Sequence, residues 1–465
     1  MKLQGKTAHP YLPSSDQKIK LELMRELGIK SIDELYADIP DGVRLKRGLN
    51  LPPRMSEFEL RRHIDRILSV NKNTSDILSF LGSGCWPHYV PAAVSEVASR
   101  SEFVTSYTPY QPEISQGMLQ SLFEYQSLVC ELTGMEFANA SLYDWSTALG
   151  EAARMAARVT QRDEFLVSRF IHPDRRATLQ TYCEPAGIRV VDIAHNPKTG
   201  LIDLQDLSDK ISDKTAGVYV ENPSLLGCID STVHEVGTAA DSKGALFIVG
   251  VDPLSLGIIK PPAEYGADVA IGEGQPLGNS MNYGGPLLGI FACADEKLLR
   301  HMPGRVIGLT TSEGSRRSFC MALQTREQHI RRERATSNIC SNEALCAVSA
   351  AIYLSLLGPV GLRKLGEKIL ARSRYAISRL ASVKGLRVPA VESACFKEFT
   401  VNVDKSGKTI NGIKDSLLRD GIQIGLPLKD DFPELGETAV FCVTETHTMD
   451  DIDRLHDAMK KAMEV

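Results

Sequence analysis

The chain has 465 residues, 43% of them hydrophobic and 24% charged, which is ample material for a sizeable core and excludes global disorder. Its 53 basic and 58 acidic side chains leave a formal net charge of −5 and are interspersed along the chain, so nucleic acid is not expected as the main partner. The most apolar run, 347–357, is short of the ~18 residues a bilayer span needs, and the first ten residues carry neither a secretory nor a transit pattern; a cytoplasmic protein without membrane attachment is expected.

In chain order, residues 1–75 read as a helical extension. Ser31 with Glu34, and Ser56 with Glu59, are capping boxes that satisfy orphan amides at a helix start, and Pro40, Gly42, Pro52 and Pro53 break the chain between them. Helices this short cannot enclose a core, so the extension should pack on another surface. Between 114 and 133, Met118, Leu122, Tyr125, Val129 and Leu132 recur at helical spacing, and Gly134 suits a C′ position. A second helix is predicted over 148–159, capped by Ser146 and Thr147.

Beyond it, β-rich runs at 165–168, 188–193, 216–220, 245–251 and 267–271 alternate with segments of helical composition. Most of these runs are apolar throughout, and so connected they predict a mostly parallel, doubly wound α/β sheet with helices on both faces; 286–294 adds an antiparallel strand. A long helical region over 342–383, interrupted at Gly358 and Pro359, then leads to strands at 398–403 and 439–444 and helices at 410–419 and 450–463. The chain is thus expected to carry a large domain over 76–335 and a small C-terminal α+β domain over 336–465. It contains no solenoid repeat and no low-complexity tract.

Ten cysteines, none in a C-x-x-C pair, read as buried reduced thiols, and the ten histidines form no paired-ligand spacing, so no metal site is expected. The loop 272–278 (GEGQPLG) follows a strand, but Leu277 stands where a dinucleotide fingerprint needs its third glycine, and Pro276 blocks the helix that should come next; a constrained loop is the better reading. The segment 107–117 (YTPYQPEISQG) sets two phenols and several polar groups on a proline-stiffened stretch, suited equally to ligand contact and to an aromatic staple before the helix. The charged run 326–338 is either a solvated helix face or, with its polar end Ala335-Thr336-Ser337-Asn338, an anion or interface site.

At these three segments, 107–117, 272–278 with Gly284-Gly285-Pro286, and 324–340 (QTREQHIRRERATSNIC), the chain resembles the glycine cleavage system P-protein family, and within it the amino-terminal-half subunit made separately in many prokaryotes. Weaker similarity at 31–40 and 251–256 extends the resemblance over nearly the whole chain. It implies a fold-type I architecture of the pyridoxal-phosphate (PLP) transferases. Such enzymes hold PLP through a lysine just after a sheet strand, yet no lysine stands between Lys260 and Lys297. The position matching that lysine is Gln275, whose amide cannot form an imine. The ring-stacking histidine matches Leu149, and the aspartate for the pyridine nitrogen matches Val249, three residues before Asp252.

The resemblance therefore implies a subunit 1 that pairs, as α2β2, with a PLP-carrying subunit 2. Together they would decarboxylate glycine and transfer its aminomethyl group to the lipoyl arm of H-protein, alongside T-protein and L-protein. With no catalytic residue of its own, this chain would contribute Tyr107, Thr108, Tyr110, Gln111, Glu113, Gly274, Gln275 and Ser280 to the partner's site. Arg332, Thr336, Ser337 and Asn338 form a second rank, and Ser146 with Thr147 a vestigial anion pocket. The alternatives are a silent scaffold for the partner, which would not need the polar groups of 107–117, and a self-sufficient PLP enzyme using a lysine such as Lys260.

Overall fold

The computed structural model describes residues 9, 11–337, 339 and 341–464; Asn338 and the first eight residues, on which two of the expectations fall, lie outside the described residues. The chain divides into two compact units, Met1–Asn71 and Lys72–Val465.

In the first unit, helix α1 (Gln17–Glu26) starts where the Asp16 carboxylate accepts the Lys18 and Ile19 amides at 2.8 and 3.3 Å. Helix α2 (Glu57–Leu68) starts at the expected box, the Ser56 amide donating to Glu59 at 2.8 Å and the Glu59 amide to Ser56 at 3.3 Å. The Ser31–Glu34 box opens a single 3-10 turn instead. None of residues 11–71 is buried.

The second unit is built on a seven-stranded sheet: β1 (Phe137–Ala138), β2 (Glu164–Ser168), β3 (Arg189–Ile193), β4 (Thr215–Glu221), β5 (Leu246–Val251), β6 (Val269–Glu273) and β7 (Gly289–Cys293), in the order β1-β7-β6-β5-β4-β2-β3. Strands β2 to β6 run parallel, and β7 is antiparallel to both its neighbours. The period of two sends neighbouring side chains to opposite cores. Val218, Phe247 and Val249 pack under α3 (Gln116–Thr133) and α6 (Val233–Ser242), between which α4 (Trp145–Thr160) and α5 (Pro173–Cys183) lie in the chain. Tyr219, Ile248 and Ile271 pack under α4 and α5. Gly134 ends α3 at φ +72° as expected, the left-handed turn that glycine adopts without a Cβ clash.

Helix α7 (Ala344–Ala381) serves two cores: Ala347, Val348 and Ala351 enter the first, Ala376 and Leu380 a third around the small sheet, and the chain breaks at Gly358 (φ +58°) before Pro359. Contrary to the expectation from 347–357 alone, this helix is long and apolar enough to cross a bilayer, but half of its apolar window is buried inside the protein. A hairpin not anticipated from sequence, β8 (Val306–Ser312) and β9 (Arg316–Ala322), precedes it, turning at Glu313-Gly314-Ser315 with Gly314 at φ +77°. The carboxyl end holds an antiparallel sheet of β10 (Glu398–Asn402), β11 (Leu426–Pro427) and β12 (Thr438–Cys442), ordered β10-β12-β11, with α8 (Ile410–Arg419) and α9 (Met449–Glu464).

Two local expectations are corrected. Helix α4 begins at Trp145 and is capped by Asp144, whose carboxylate accepts the Thr147 amide at 2.7 Å while the Thr147 hydroxyl takes the Asp144 amide at 3.2 Å. Ser146 and Thr147 are therefore first-turn residues and not the cap, because an aspartate just before them already satisfies the end. Of the charged run, the described residues 326–337 form only a four-residue turn, Gln328–Arg331, flanked by 3-10 turns. Arg326 is drawn inward to the Met302 and Gly304 carbonyls, whereas residues 328–334 are exposed, so the stretch is solvated but is not one continuous helix face.

Candidate functional site

Strands β4, β5 and β6 end at Glu221, Val251 and Glu273, and in sheets of this class ligands bind outside the carboxyl ends of the strands. Here the space holds a buried polar cluster contributed by several distant segments. The Trp145 indole N–H donates to the Tyr219 hydroxyl at 2.9 Å, which donates to Glu221 at 3.0 Å. Arg175 on α5 closes the chain, its guanidinium 2.7 Å from the same carboxylate and 4.1 Å from the Trp145 ring centroid. Burial raises the Glu221 carboxyl above its ordinary range despite that guanidinium.

Beside it, Lys397, 2% exposed, places Nζ 2.8 Å from Asp252 Oδ2, 3.6 Å above the Trp86 ring and 3.3 Å from His88 Nε2. His88 Nδ1 lies 2.8 Å from Glu445. An ammonium only donates, so Nε2 is the acceptor and Nδ1 carries the proton toward Glu445, a tautomer assigned from its partners. Burial, and then Lys397, hold the His88 pKa below its ordinary value, consistent with a neutral ring. The Trp86 indole N–H donates to Glu398 at 2.9 Å, a carboxylate whose pKa burial raises.

The loop after β6 is locked from below. Glu273 accepts the backbone amides of Gln275 (2.9 Å), Leu288 (2.8 Å) and Trp145 (3.2 Å); burial nonetheless pushes its pKa up to about 7. Gln275, 1% exposed, accepts the Trp86 amide at 3.0 Å and donates to the carbonyls of Trp86 (3.3 Å) and Asn279 (2.7 Å). Gly274 is as tightly held: a Cβ there would meet the Leu288 side chain at 2.8 Å.

Little space remains. A cavity of ≈ 10 Å³ lies among Ser83, Trp86, Trp145, Glu221, Asp252 and Lys397, room for one water. A Cβ on Gly250 of β5 would lie 2.3 Å from the Tyr219 hydroxyl and 2.7 Å from the Trp145 ring, so these aromatic groups sit directly on the strand end. A ring-plus-phosphate cofactor, which needs a pocket of roughly 300 Å³ or more, does not fit there beside them.

The remaining anticipated residues fall elsewhere. Tyr107 is 79% exposed, its hydroxyl 2.9 Å from Ser341. The Tyr110 hydroxyl accepts from Arg305 at 3.1 Å, and the guanidinium lies 5.2 Å from its ring centroid. Thr108 is half-buried and accepts the Tyr110 amide, while Gln111, Glu113, Ser280 and Arg332 are exposed. The Thr336 amide donates to the Arg326 carbonyl, and the Ser337 hydroxyl to Glu151 on α4 at 2.7 Å. The structure thus gathers Tyr107 and Tyr110 near Arg305 and the residues before α7. It does not bring Gly274 or Gln275 to the surface: both were expected to reach a partner and are corrected to internal braces, since their polar groups are already taken. At Ser146 and Thr147 the amides of Trp145 and Thr147 already donate to carboxylates of this chain, Glu273 and Asp144. Leu149 and Val249 are fully buried in the two apolar cores, and Lys260 is exposed.

Sequence reasoning missed Trp86, His88, Arg175, Lys397, Glu398 and Glu445. Their one legible signal is a charged Lys397-Glu398 pair at the start of a predicted strand, which only burial turns into cluster members.

Comparison with known proteins places this geometry. The family model described as glycine cleavage system P-protein matches residues 9–459. A protein of Staphylothermus marinus named "Probable glycine dehydrogenase (decarboxylating) subunit 1" is 50% identical over 458 residues, covering 96% of this chain and 97% of its own length. One of the same name from Pyrococcus abyssi is 48% identical, covering 98% and 100%. Among solved structures, a glycine decarboxylase (P-protein) of the glycine cleavage system in inhibitor-bound form superposes with a TM-score of 0.87 at 36% identity, over 98% of this chain and 100% of that one. A sphingosine-1-phosphate lyase of Burkholderia pseudomallei, 15% identical over 92% of this chain and 95% of its own with a TM-score of 0.66, shares the fold.

Proposed function

The chain belongs to the glycine cleavage system P-protein family, and on that footing we propose that it is subunit 1 of a glycine dehydrogenase (decarboxylating). It works beside a second subunit that holds PLP, assembled as α2β2 in the cytoplasm. The pair converts glycine and lipoyl H-protein to aminomethyl-dihydrolipoyl H-protein and CO2, and T-protein and L-protein then process that product. The observation that carries this reading is end-to-end similarity to proteins named subunit 1, with no large stretch left over on either side.

The assignment of the cofactor to the partner is supported by Gln275, whose amide cannot form an imine, and by the filled space at the strand ends. On the partner, PLP supplies the electron sink into which the carbon–carboxylate bond of glycine breaks. This chain's part is to bind and to exclude water. Tyr107, Thr108, Tyr110, Gln111 and Glu113, with Ser280, offer phenol, hydroxyl, amide and carboxylate groups on surface segments that a partner can cover. Arg305 holds the Tyr110 ring and hydroxyl in one orientation, and such preorganisation is what lets a phenol position a small carboxylate substrate. Arg332, Thr336, Ser337 and Asn338 form a second group suited to an anionic substrate or to H-protein.

The test is borohydride reduction in the presence of PLP, followed by intact-mass analysis of this chain alone and with its partner subunit, alongside decarboxylation with H-protein. A pyridoxyl adduct confined to the partner, and activity only in the mixture, are expected. A stoichiometric adduct on a lysine of this chain, or activity of this chain alone, overturns the proposal.

A further inference from the structure

Cys228 and Cys395, 167 residues apart in sequence, form an isolated antiparallel bridge between the loop that follows β4 and the segment that leads into β10. The flanking hydrogen bonds define the register. The Ile229 amide donates to the Ala394 carbonyl at 2.8 Å and the Phe396 amide to the Gly227 carbonyl at 3.2 Å, so bonds lie on either side of the two cysteines and none joins their own backbones. That is a non-hydrogen-bonded pair, the class in which the Cα atoms approach to about 4.5 Å and both side chains leave on the same face. This separation lies inside the range a disulfide spans without backbone movement. Both thiols are buried, with Cys228 Sγ 3.9 Å from the Thr199 carbonyl oxygen and Cys395 Sγ 3.5 Å from the Ser393 carbonyl oxygen. The other strand cysteines have no such neighbour in register: Cys320 faces Gly308, Cys293 faces Phe137 and Val269, and Cys442 faces Glu398.

We propose that Cys228 and Cys395 are a disulfide-forming modification site, a covalent staple between the parallel sheet and the small antiparallel sheet. The oxidant is a low-molecular-weight disulfide. One thiolate attacks it and releases one small thiol; the second cysteine then displaces the other, so two protein thiols lose two electrons and two protons and the small disulfide gains them as two thiols. The staple pins the strand start at which Lys397 and Glu398 enter the buried cluster. The neighbouring Cys395 thiol, and then burial, hold the Cys228 pKa well above its ordinary value, so the exchange is slow and requires local opening.

The test equilibrates the full chain in stepped ratios of reduced and oxidised glutathione until its thiol count is constant. The series is run at ambient temperature and again a few degrees below the unfolding midpoint, where opening admits the oxidant. Samples are quenched in acid, alkylated unfolded and digested without reduction. One cross-linked peptide joining Cys228 to Cys395, reversed by dithiothreitol, is expected. Its formation should raise the unfolding midpoint by roughly 5 °C, as closure of so long a loop implies. Cys228→Ser and Cys395→Ser should each abolish both the cross-link and the shift. Recovery of both cysteines as alkylated thiols at the oxidising limit of the warmer series, or their capture separately by glutathione or by other cysteines, overturns the proposal.

Discussion

Replacing Lys397 by methionine removes a buried charge while keeping nearly the same length and volume. The ammonium is 2.8 Å from Asp252 and 3.6 Å above Trp86, and all three side chains are buried. Methionine fills the space, so little packing is lost; what changes is that the Asp252 carboxylate stays buried without its counter-charge. Breaking such a pair from one side costs about 3–5 kcal/mol. The cation–π contact, worth ~2 kcal/mol when desolvated, concerns the same ammonium and is not added separately. Asp252→Asn together with Lys397→Met removes the stranded charge and should recover about half of the loss or more. The assay is built into the molecule: its two tryptophans, Trp86 at 2% and Trp145 at 4% exposure, both stand in this cluster, so urea unfolding monitored by tryptophan fluorescence reads the site directly. A single-variant loss below ~1 kcal/mol, or a double variant no more stable than the single one, would refute the ion pair as what holds the cluster. In the same assay, free PLP should leave the wild-type emission unchanged; stoichiometric quenching would contradict a filled space at the strand ends.

Three further outcomes are expected. His195 packs against Phe170 with ring centroids 4.5 Å apart, and burial, then Arg169, hold its pKa at about 4 against an ordinary 6.5. Between those values the unfolded chain binds more protons than the folded one, so this contribution is present above pH 6.5 and is lost as pH falls through the window. After discounting for the ring's partial exposure it amounts to about 2 kcal/mol, and His195→Gln should flatten acid-unfolding curves by that amount; an unchanged slope would show that the ring does not titrate this way. Asp144→Ala should destabilise the chain by about 1 kcal/mol in urea, whereas Ser146→Ala should change little, which tests where helix α4 is capped. Tyr110→Ala should reduce decarboxylation by the assembled complex by roughly tenfold or more without dissociating it, and Tyr110→Phe, which keeps the ring over Arg305, should lose less. Unchanged kinetics in both with intact assembly would remove Tyr110 from the site.

Legibility in the sequence differs from element to element. The strands of the parallel sheet are legible because β-rich, mostly apolar runs of four to seven residues admit few other structures once they alternate with helical segments. Strand β6 extends two residues beyond its expected end because Glu273 has the composition of a loop residue, yet it pairs with Gly289 and its carboxylate is satisfied by three amides that come together only on folding. The cap of α4 lies earlier than expected because serine and threonine are comparable cap formers to aspartate, and local preference alone does not choose among neighbours. The hairpin of β8 and β9 is hidden by Arg316, Arg317 and the polar stretch beside them, although its turn carries a glycine signal.

By itself the sequence determined the doubly wound class, the long helical region after residue 342, the family, and the absence of a lysine between Lys260 and Lys297, since each is written in periodicity, in local motifs or in residue identity. Only the tertiary structure decided what fills the space around Gln275, the residue at that lysine's matching position. Trp86 meets Glu398 across 312 positions, and Lys397 reaches both Asp252 and His88, pairings that no local pattern encodes because their separation along the chain is unrelated to their separation in space. Burial then settles their chemistry: the same glutamates and lysine that would be solvated on a surface become here a closed set of partners, with room among them for one water.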